Sequence, residues 1–160
     1  MKLWIFLLWL SMAVIEFSSK SASYSEFSNF HLAPFTIDSV VWPSVEHYFQ
    51  AQKFTVESDL PGLIRLAPTA AKAKKLGATR AVHFRSDWNS VRETVMLCGL
   101  RAKFGQHIGL RDLLVGTGSA ELREKAFWDS YWGTGRTGNG LNRMGHLLMQ
   151  IRSELNKIEA

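Results

Sequence analysis

An apolar stripe of helical period between residues 88 and 105 is the feature that most restricts the fold of this chain. Asp87 stands directly before the stripe, where an N-cap residue is expected. The stripe consists of Trp88, Val91, Val95, Cys98 and Ala102, widened by Met96, Leu100 and Phe104. A helix with one broad apolar face has to bury that face. The stripe therefore predicts a long helix that forms the spine of a single hydrophobic core.

The remaining segments predict further helices and few strands. Pro43 suits the first position of a helix, because its missing amide would have no helical partner there, and Thr69 is a suitable N-cap. Helices are predicted over residues 43–54, 56–66, 70–76, 108–115, 119–127 and 145–158. Residues 14–17 predict a strand, and residues 36–41 predict two short strands around a turn. We expect an α+β fold: a compact, helix-dominated single domain with a small N-terminal β-sheet.

The composition fits a globular chain with a real core. Hydrophobic residues make up 46% of the 160 residues, which excludes disorder for the body of the chain. The chain has 19 Lys and Arg against 14 Asp and Glu, a net charge of +5. This charge suits an anionic partner such as a phosphate, and it is equally compatible with ordinary surface chemistry. The basic residues are scattered, so no nucleic-acid-binding tract is evident.

The single cysteine and the histidines give no sign of a metal or redox centre. Cys98 has no partner for an internal disulfide, and no Cys/His cluster has the spacing of a zinc site. Its apolar neighbours favour a buried structural thiol over a nucleophile. The five histidines also lack metal-ligand spacing. The sequence thus predicts neither a metal nor another cofactor.

The first 13 residues form a hydrophobic leader ahead of the predicted domain, which we place at residues 14–160. Lys2 is followed by a short apolar run and then by small residues, which is the form of a signal peptide. The run is too short for a transmembrane helix. A mis-assigned start codon gives the same pattern, so both origins stay open.

The predicted helix over residues 43–54 carries the first candidate site. Glu46, Gln50 and Lys53 follow at i, i+4 and i+7, so they lie on one face. Aromatic residues, among them Tyr48, occupy the neighbouring stripe. A surface helix places its charges opposite its apolar stripe, whereas a polar face that borders aromatics is typical of a pocket wall. A solvent-exposed face without a function has the same spacing, and spacing alone leaves both interpretations open.

A glycine-rich loop is the second candidate site. Four glycines, of which Gly133 is the first, allow the backbone to approach a ligand closely. Asp129 and Trp132 precede these glycines, and Asn142 and Arg143 follow them. An acid, an aromatic ring, an amide and a guanidinium in one loop favour a nucleoside or phosphate pocket. The spacing also matches GxGxxG, but no βαβ unit surrounds it, so we reject a dinucleotide-binding fold.

Three long motifs occur in a fixed order along the chain. They are FSNF at residues 27–30, WPSVEHYFQAQKF at residues 42–54 and DSYWGTGRTGNGLNRMGHLLMQIR at residues 129–152. In this order they closely resemble the NADAR, or YbiA-like, family over about residues 15–155. The resemblance implies a compact, mostly helical α+β domain, an N-glycosidase activity, and no metal or redox cofactor. It also favours the cytoplasm without stable membrane association, with export through the leader as the alternative.

The resemblance assigns roles to individual residues. The implied catalytic residues are Glu46, Asp129 and Lys53, and the implied substrate-binding residues are Phe27, Ser28, Asn29, Tyr48, Gln50, Trp132, Gly133, Asn142 and Arg143. In this assignment Glu46 stabilises positive charge on the ribose, and Asp129 is the partner acid or positions the water. Lys53 and Arg143 contact a phosphate. Trp132 stacks on the base or the sugar.

The resemblance also implies a substrate. The leading expectation is a phosphorylated, nucleoside-like ribosylamino-pyrimidine intermediate of riboflavin biosynthesis, cleaved at its C1′–N bond to release ribose 5-phosphate, a form of metabolite damage control. One alternative is an ADP-ribosyl-guanine hydrolase that acts on ADP-ribosylated nucleic acid. Another, of a different class, is a non-catalytic module that binds ADP-ribose.

Overall fold

A computed structural model of the chain describes residues 13–79 and 83–158. Six α-helices run through this part: α1 Val45–Ala51, α2 Leu60–Arg65, α3 Ala70–Gly77, α4 Trp88–Gln106, α5 Ile108–Val115 and α6 Arg143–Ile158. The strands within it are β1 Val14–Phe17, β2 Phe35–Ile37, β3 Val40–Trp42 and β4 Glu121–Glu124. The predicted helix-dominated α+β class is confirmed. Residues 1–12 of the predicted leader lie outside the described residues.

Side-chain caps explain where two of the shorter helices begin. Ser44 precedes α1, and its hydroxyl accepts the backbone amide of His47. Thr69 precedes α3, and its hydroxyl accepts an amide of the first helical turn at 3.1 Å. Such caps satisfy amides that have no partner within the helix. Because Ser44 takes the cap position, Pro43 lies outside α1, and the helix is shorter than the predicted range of 43–54.

The long helix α4 forms as the apolar stripe predicts. Four of its stripe residues are buried, namely Trp88, Met96, Leu100 and Phe104, and the others are partly buried against the core. Asp87 precedes the helix, but its carboxylate does not cap it. Instead it makes a bidentate ion pair with Arg85, at 2.8 and 2.9 Å. Cys98 is a free thiol and is only half-buried, so its predicted burial is partial.

The hairpin of β2 and β3 forms around the predicted turn. The two strands pair antiparallel, with Phe35 beside Trp42. The turn residues Asp38 and Ser39 have φ angles of 50° and 64°. Two consecutive residues in this left-handed region give a turn whose twist matches that of the flanking strands.

The helix predicted over residues 119–127 is wrong, because its middle is strand β4, which pairs in parallel with β1. The register sets Phe17 beside Glu124. Leu122 and Glu124 point inward and the residues between them are partly exposed, which is the period of a strand. Pairing with a strand far away in the sequence thus overrides the local preference. The described residues form two two-stranded sheets, and only one of them lies wholly in the N-terminal third.

Large side chains with almost no exposure fill one core. They include Phe17, Phe27, Phe35, Ile64, Met96, Leu100, Phe104, Leu114, Leu122 and Leu148. Burial of a side chain of this size contributes about 1.5–3 kcal/mol. Helix α1 packs against α2, α3 and α4, and all seven of its side chains are buried. Among the described helices, none combines the length and the apolar character needed to cross a membrane.

Candidate active site

A cavity of about 670 Å³ lies beside α1 and collects most of the predicted site residues. Seven of them line it: Ser28, Asn29, Glu46, Gln50, Lys53, Asp129 and Trp132. These residues come from the FSNF segment, from α1 and from the glycine-rich loop, which are far apart in sequence. A cavity of this size can hold a nucleotide-sized ligand.

Glu46 is buried in the wall of this cavity, with its carboxylate held by two side-chain amides. Only 2% of the residue is exposed. Gln50 Nε2 donates to Glu46 Oε1 at 2.7 Å, and Asn29 Nδ2 donates to Glu46 Oε2. The backbone amide of Glu46 also donates to the carbonyl oxygen of Asn29, at 2.9 Å. Both carboxylate oxygens are therefore fixed in position.

The ionisation of Glu46 reflects its surroundings. Burial raises the pKa of Glu46 above its usual range, because the charged form loses its solvation. The hydrogen bond from Gln50 and the charges of Lys74 and Lys53 oppose this increase. Asp129 raises the pKa of Glu46 further, through repulsion. The charge of Glu46 thus depends on the lysines and acids that share the cavity.

Glu124 is a further carboxyl group in the cavity wall, and the sequence analysis did not identify it. It is the last residue of β4 and is 8% exposed. Burial raises the pKa of Glu124 to about 7, and the charges of Asp129 and Glu46 contribute to the increase. A carboxyl group with this pKa exchanges its proton near neutral pH. Glu46, Glu124 and Asp129 together place three acids around one cavity.

Asp129 shapes the loop that carries it. Its Oδ1 accepts the backbone amides of Tyr131 and Trp132, at 3.0 and 2.8 Å. An aspartate that binds amides two and three residues ahead closes a tight turn. The ring of Trp132 packs edge-on against Phe49, with 5.5 Å between the ring centres. The turn therefore brings both the Asp129 carboxylate and the Trp132 indole to the cavity.

Lys53 brings a positive charge close to these acids. Its Nζ lies 5.7 Å from the ring centre of Phe49 and 5.9 Å from that of Trp88. The same atom donates to the carbonyl oxygen of Gly77 at 3.3 Å. Burial lowers the pKa of Lys53, and the charge of Glu46 opposes the decrease. The aromatic rings and the carbonyl hold this ammonium group in the cavity wall.

Sequence reasoning missed other residues that line the cavity. They include Lys20, Lys74, Lys125, Phe49, Met96, Phe127, Trp128 and Met144. Lys74, from α3, lies 5.6 Å from the ring centre of Phe30 and makes no ion pair with any described residue. Trp128 is 88% exposed at the edge of the cavity. Two adjacent aromatic residues directly before the glycine-rich loop were the signal that could have identified Phe127 and Trp128.

Phe27 and Tyr48 lie in the core and not in the cavity. Phe27 is fully buried and packs edge-on against Phe17, with 5.7 Å between the ring centres. Tyr48 is 8% exposed and packs edge-on against Trp42 and Phe35, at 5.4 and 6.2 Å. The structure therefore does not bring these two side chains to the other predicted site residues. They anchor the segments that carry the cavity wall.

Gly133 and Asn142 lie behind the cavity wall and fix the end of β4. Asn142 Nδ2 donates to the carbonyl oxygen of Leu122 at 2.8 Å, and its Oδ1 accepts the amide of Glu124 at 2.9 Å. A Cβ atom at Gly133 would lie 2.8 Å from the carbonyl oxygen of Glu124, so only glycine fits there. Neither residue lines the cavity, but both determine where Glu124 sits.

Arg143 is also placed outside the cavity. Its guanidinium makes a bidentate ion pair with Glu93, at 2.8 and 2.6 Å. The hydroxyl of Tyr131 donates to the same carboxylate. This cluster ties α4 to the glycine-rich loop and to the first turn of α6. Because Arg143 does not line the cavity, the positive charge of the described cavity wall comes from lysines.

The fold and the cavity define an α+β domain with an acid-rich, ligand-sized site. Most enzymes that cleave glycosidic bonds use a pair of carboxyl groups that face each other across one cavity. Within residues 13–79 and 83–158, no group of three or more His, Cys, Asp or Glu side chains is arranged to hold a metal ion.

Comparison with known proteins identifies the family. The chain belongs to the NADAR domain family, whose characteristic sequence matches residues 16–156. It is 45% identical over 142 residues to the N-glycosidase YbiA of Escherichia coli, covering 89% of this chain and 88% of that protein. It is 37% identical over 141 residues to a riboflavin biosynthesis protein of Vibrio vulnificus, covering 88% of this chain and 38% of that protein.

A solved structure agrees with this assignment. The NMR structure of E. coli YbiA matches this chain with a TM-score of 0.84 and 43% sequence identity, covering 92% of this chain and 88% of that one. The family resemblance and the fold class predicted from the sequence are both confirmed. The N-glycosidases among the relatives also confirm the prediction of a hydrolase that acts on N-glycosyl bonds.

Proposed function

We propose that this chain hydrolyses the C1′–N bond of a phosphorylated ribosylamino-pyrimidine of riboflavin biosynthesis and releases ribose 5-phosphate. The observation that carries the proposal is the Glu46 carboxylate, held by Asn29 and Gln50 in a cavity with two further acids and with lysines. The Vibrio relative, which is named a riboflavin biosynthesis protein, supports this substrate class.

In the proposed mechanism Glu46 supplies the negative charge. Cleavage of the C1′–N bond builds positive charge on the ribose ring, as in O-glycoside hydrolysis. A carboxylate fixed at both oxygens does not have to reorient while that charge develops. Its two side-chain hydrogen-bond donors, from Asn29 and Gln50, are neutral amides, which leave the negative charge available to the ribose. We therefore assign stabilisation of the cationic transition state to the ionised form of Glu46. Gln50, Lys53 and Lys74 favour this form against the effect of burial.

We assign proton transfer to Glu124. Hydrolysis adds the hydroxide part of water to C1′ and the remaining proton to the departing nitrogen. Because the pKa of Glu124 is raised to about 7, this carboxyl group can donate a proton to the nitrogen at neutral pH and recover one from the water. Asp129, whose Oδ1 is held by the loop, then positions the attacking water.

The phosphate of the substrate is assigned to Lys53 and Lys74. Both lysines line the cavity, and both stabilise the charged form of Glu46, so they act within the same small space. Ammonium groups suit a phosphate dianion. Trp132 also lines the cavity and offers an aromatic surface for the pyrimidine.

Product analysis tests the proposal. The full chain is incubated with the ribosylamino-pyrimidine phosphate, and free ribose 5-phosphate is measured, with Glu46→Gln as the blank. ADP-ribosylated DNA is assayed in parallel for free ADP-ribose, since activity there alone identifies an ADP-ribosyl-guanine hydrolase. Calorimetry with ADP-ribose completes the set. Tight binding without turnover of either substrate identifies a non-catalytic ADP-ribose-binding module.

The proposed substrate also determines where the protein works. Intermediates of riboflavin synthesis are intracellular, so we place the activity in the cytoplasm and the catalytic domain at residues 14–160. Export through residues 1–13 is the alternative. Mass spectrometry of the mature N-terminus together with cell fractionation distinguishes the two locations.

A further inference from the structure

A second cavity, of about 560 Å³, shares one residue with the first. Lys53 lines both cavities. The remaining wall of the second cavity comes from the end of α3, from residues 84–86 and from the beginning of α4. Its main side chains are Phe84, Arg85, Trp88 and Arg92. Nothing in the hydrolytic mechanism uses these four residues, so the second cavity needs its own explanation.

The wall of the second cavity is strongly basic. Its described lining residues include the cations Lys53, Arg85 and Arg92 and no acid. Arg85 shares its charge with Asp87, and both side chains stay partly exposed. Lys53 and Arg92 make no ion pair with a described carboxylate, and an anion between these cations relieves their repulsion.

Arg92 has a hydrogen-bond donor without a partner. Its guanidinium carbon lies 3.7 Å from the ring centre of Tyr131, a stacking contact. Its Nε is buried without a hydrogen-bond partner, and none of the described carboxylates forms an ion pair with it. A guanidinium group held against a ring, with no carboxylate in a direct ion pair, is suited to bidentate binding of phosphate.

Aromatic side chains form the other part of the wall. Trp88 is 7% exposed and is held edge-on by Phe49, with 4.9 Å between the ring centres. Phe84 is 41% exposed and packs edge-on against Phe54 at 5.8 Å. Two rings fixed in this way offer apolar surface on which a flat heterocycle can stack.

We propose that the second cavity binds a nucleoside monophosphate, with its phosphate at Arg92 and Arg85 and its base against Trp88 and Phe84. The cations account for the phosphate, the rings account for the base, and the volume lies in the range of small-molecule sites. The inference does not rest on the hydrolytic function. Its test measures binding, so the failure of one proposal leaves the other intact.

Calorimetry with AMP as the probe tests the inference. AMP is expected to bind the full chain more tightly than either inorganic phosphate or adenosine. Inorganic phosphate lacks the base, and adenosine lacks the phosphate. Arg92→Gln and Arg85→Gln are each expected to weaken AMP binding at least roughly tenfold, the scale of a lost charge-assisted hydrogen bond. Lys75→Gln is the matched control, because this exposed lysine of α3 lines neither cavity.

Tryptophan indole NMR signals then locate the ligand. Trp88 belongs to the second cavity alone and Trp132 to the first alone, so AMP is expected to shift the Trp88 signal and to leave Trp132 unchanged. Melting curves of both arginine variants establish that they are folded. Equal AMP affinity in Arg92→Gln, Arg85→Gln and Lys75→Gln, or a shift confined to Trp132, overturns the proposal.

Discussion

Gln50 Nε2 donates a 2.7 Å hydrogen bond to Glu46 Oε1, one helical turn earlier on α1. Asn29 occupies the other carboxylate oxygen from a different segment. The orientation of Glu46 is therefore set jointly by a local contact within the helix and by a distant one. Each of the two contacts can be disturbed separately.

Replacement of Glu46 by glutamine tests the charge directly. Glu46→Gln keeps the shape of the side chain but removes the charge that we assign to the transition state. Turnover is expected to fall at least roughly a hundredfold in a protein that stays folded. Steady-state kinetics and thermal melts measure both quantities. Glu57→Gln, at an exposed position, should behave as wild type, and an equally active Glu46→Gln protein would exclude this residue from the mechanism.

Replacement of Gly77 by alanine tests the position of Gln50. A Cβ atom at Gly77 would lie 2.1 Å from Gln50 Oε1 and 2.8 Å from its Cβ, so Gln50 must move away from Glu46. We expect Gly77→Ala to lower turnover at least roughly tenfold, although alanine favours a helix more than glycine does. Gly62→Ala in α2 is the control, because nothing lies within 4 Å of its added Cβ. Turnover of Gly77→Ala equal to that of this control contradicts the prediction.

Glu124 makes stability depend on pH. Its pKa is about 7 in the folded chain against a usual 4.5, so between these values the native state keeps a proton that the unfolded state has released. Stability therefore falls as pH rises through this window, by up to about 3 kcal/mol at about 1.4 kcal/mol per pKa unit. Glu124→Gln removes this contribution.

Urea unfolding at a series of pH values measures the effect. The free energy of unfolding of Glu124→Gln, relative to wild type, is expected to rise between about pH 4.5 and pH 7 and to be constant above it. Glu46 contributes a slope of the same sign in both proteins, and its coupling to Glu124 is part of the measured difference. A difference that is independent of pH means that Glu124 titrates near its usual value. The proposed proton donor would then be lost.

Lys103 holds the backbone of the FSNF segment and of the residue before it by hydrogen bonds. It is fully buried, and its Nζ donates to the carbonyl oxygens of Glu26 and of Ser28, the latter at 2.9 Å. Lys103→Met leaves both carbonyls unpaired and is expected to cost about 2 kcal/mol, or roughly 4–8 °C in melting temperature. Lys157→Met, at an exposed position of α6, is the control. Turnover should fall as well, since Asn29 is held by the same segment, and normal values of both quantities contradict this role.

The elements that could be predicted from the sequence are those with local signals. The shared face of Glu46 and Gln50 follows from helical spacing, whereas Lys53 lies beyond the end of α1 and still reaches the same cavity. Glu124 could not be found in this way, because β4 exists only through pairing with β1. Its short segment carries no pattern that separates it from a helix.

Ion pairs made in the folded chain explain a second difference. Arg143 follows the glycine-rich loop, as a phosphate ligand would, but Glu93 of α4 neutralises it. Lys74, which lies in α3 outside the three family motifs, lines the cavity instead. Charge type and sequence position do not reveal which cation already has a partner, because the partner comes from another part of the chain.

The parallel pairing of β1 with β4 also determines when this sheet can form during synthesis of the chain. Glu121 cannot pair with Val14 until all the residues between them have been synthesised. Closing so long a loop carries a large entropic cost and is slow compared with helix formation. A chain that stops before β4 contains Glu46 but lacks both Glu124 and Asp129. The three acids of the cavity are therefore complete only after β4 and the following turn at Asp129 have been synthesised.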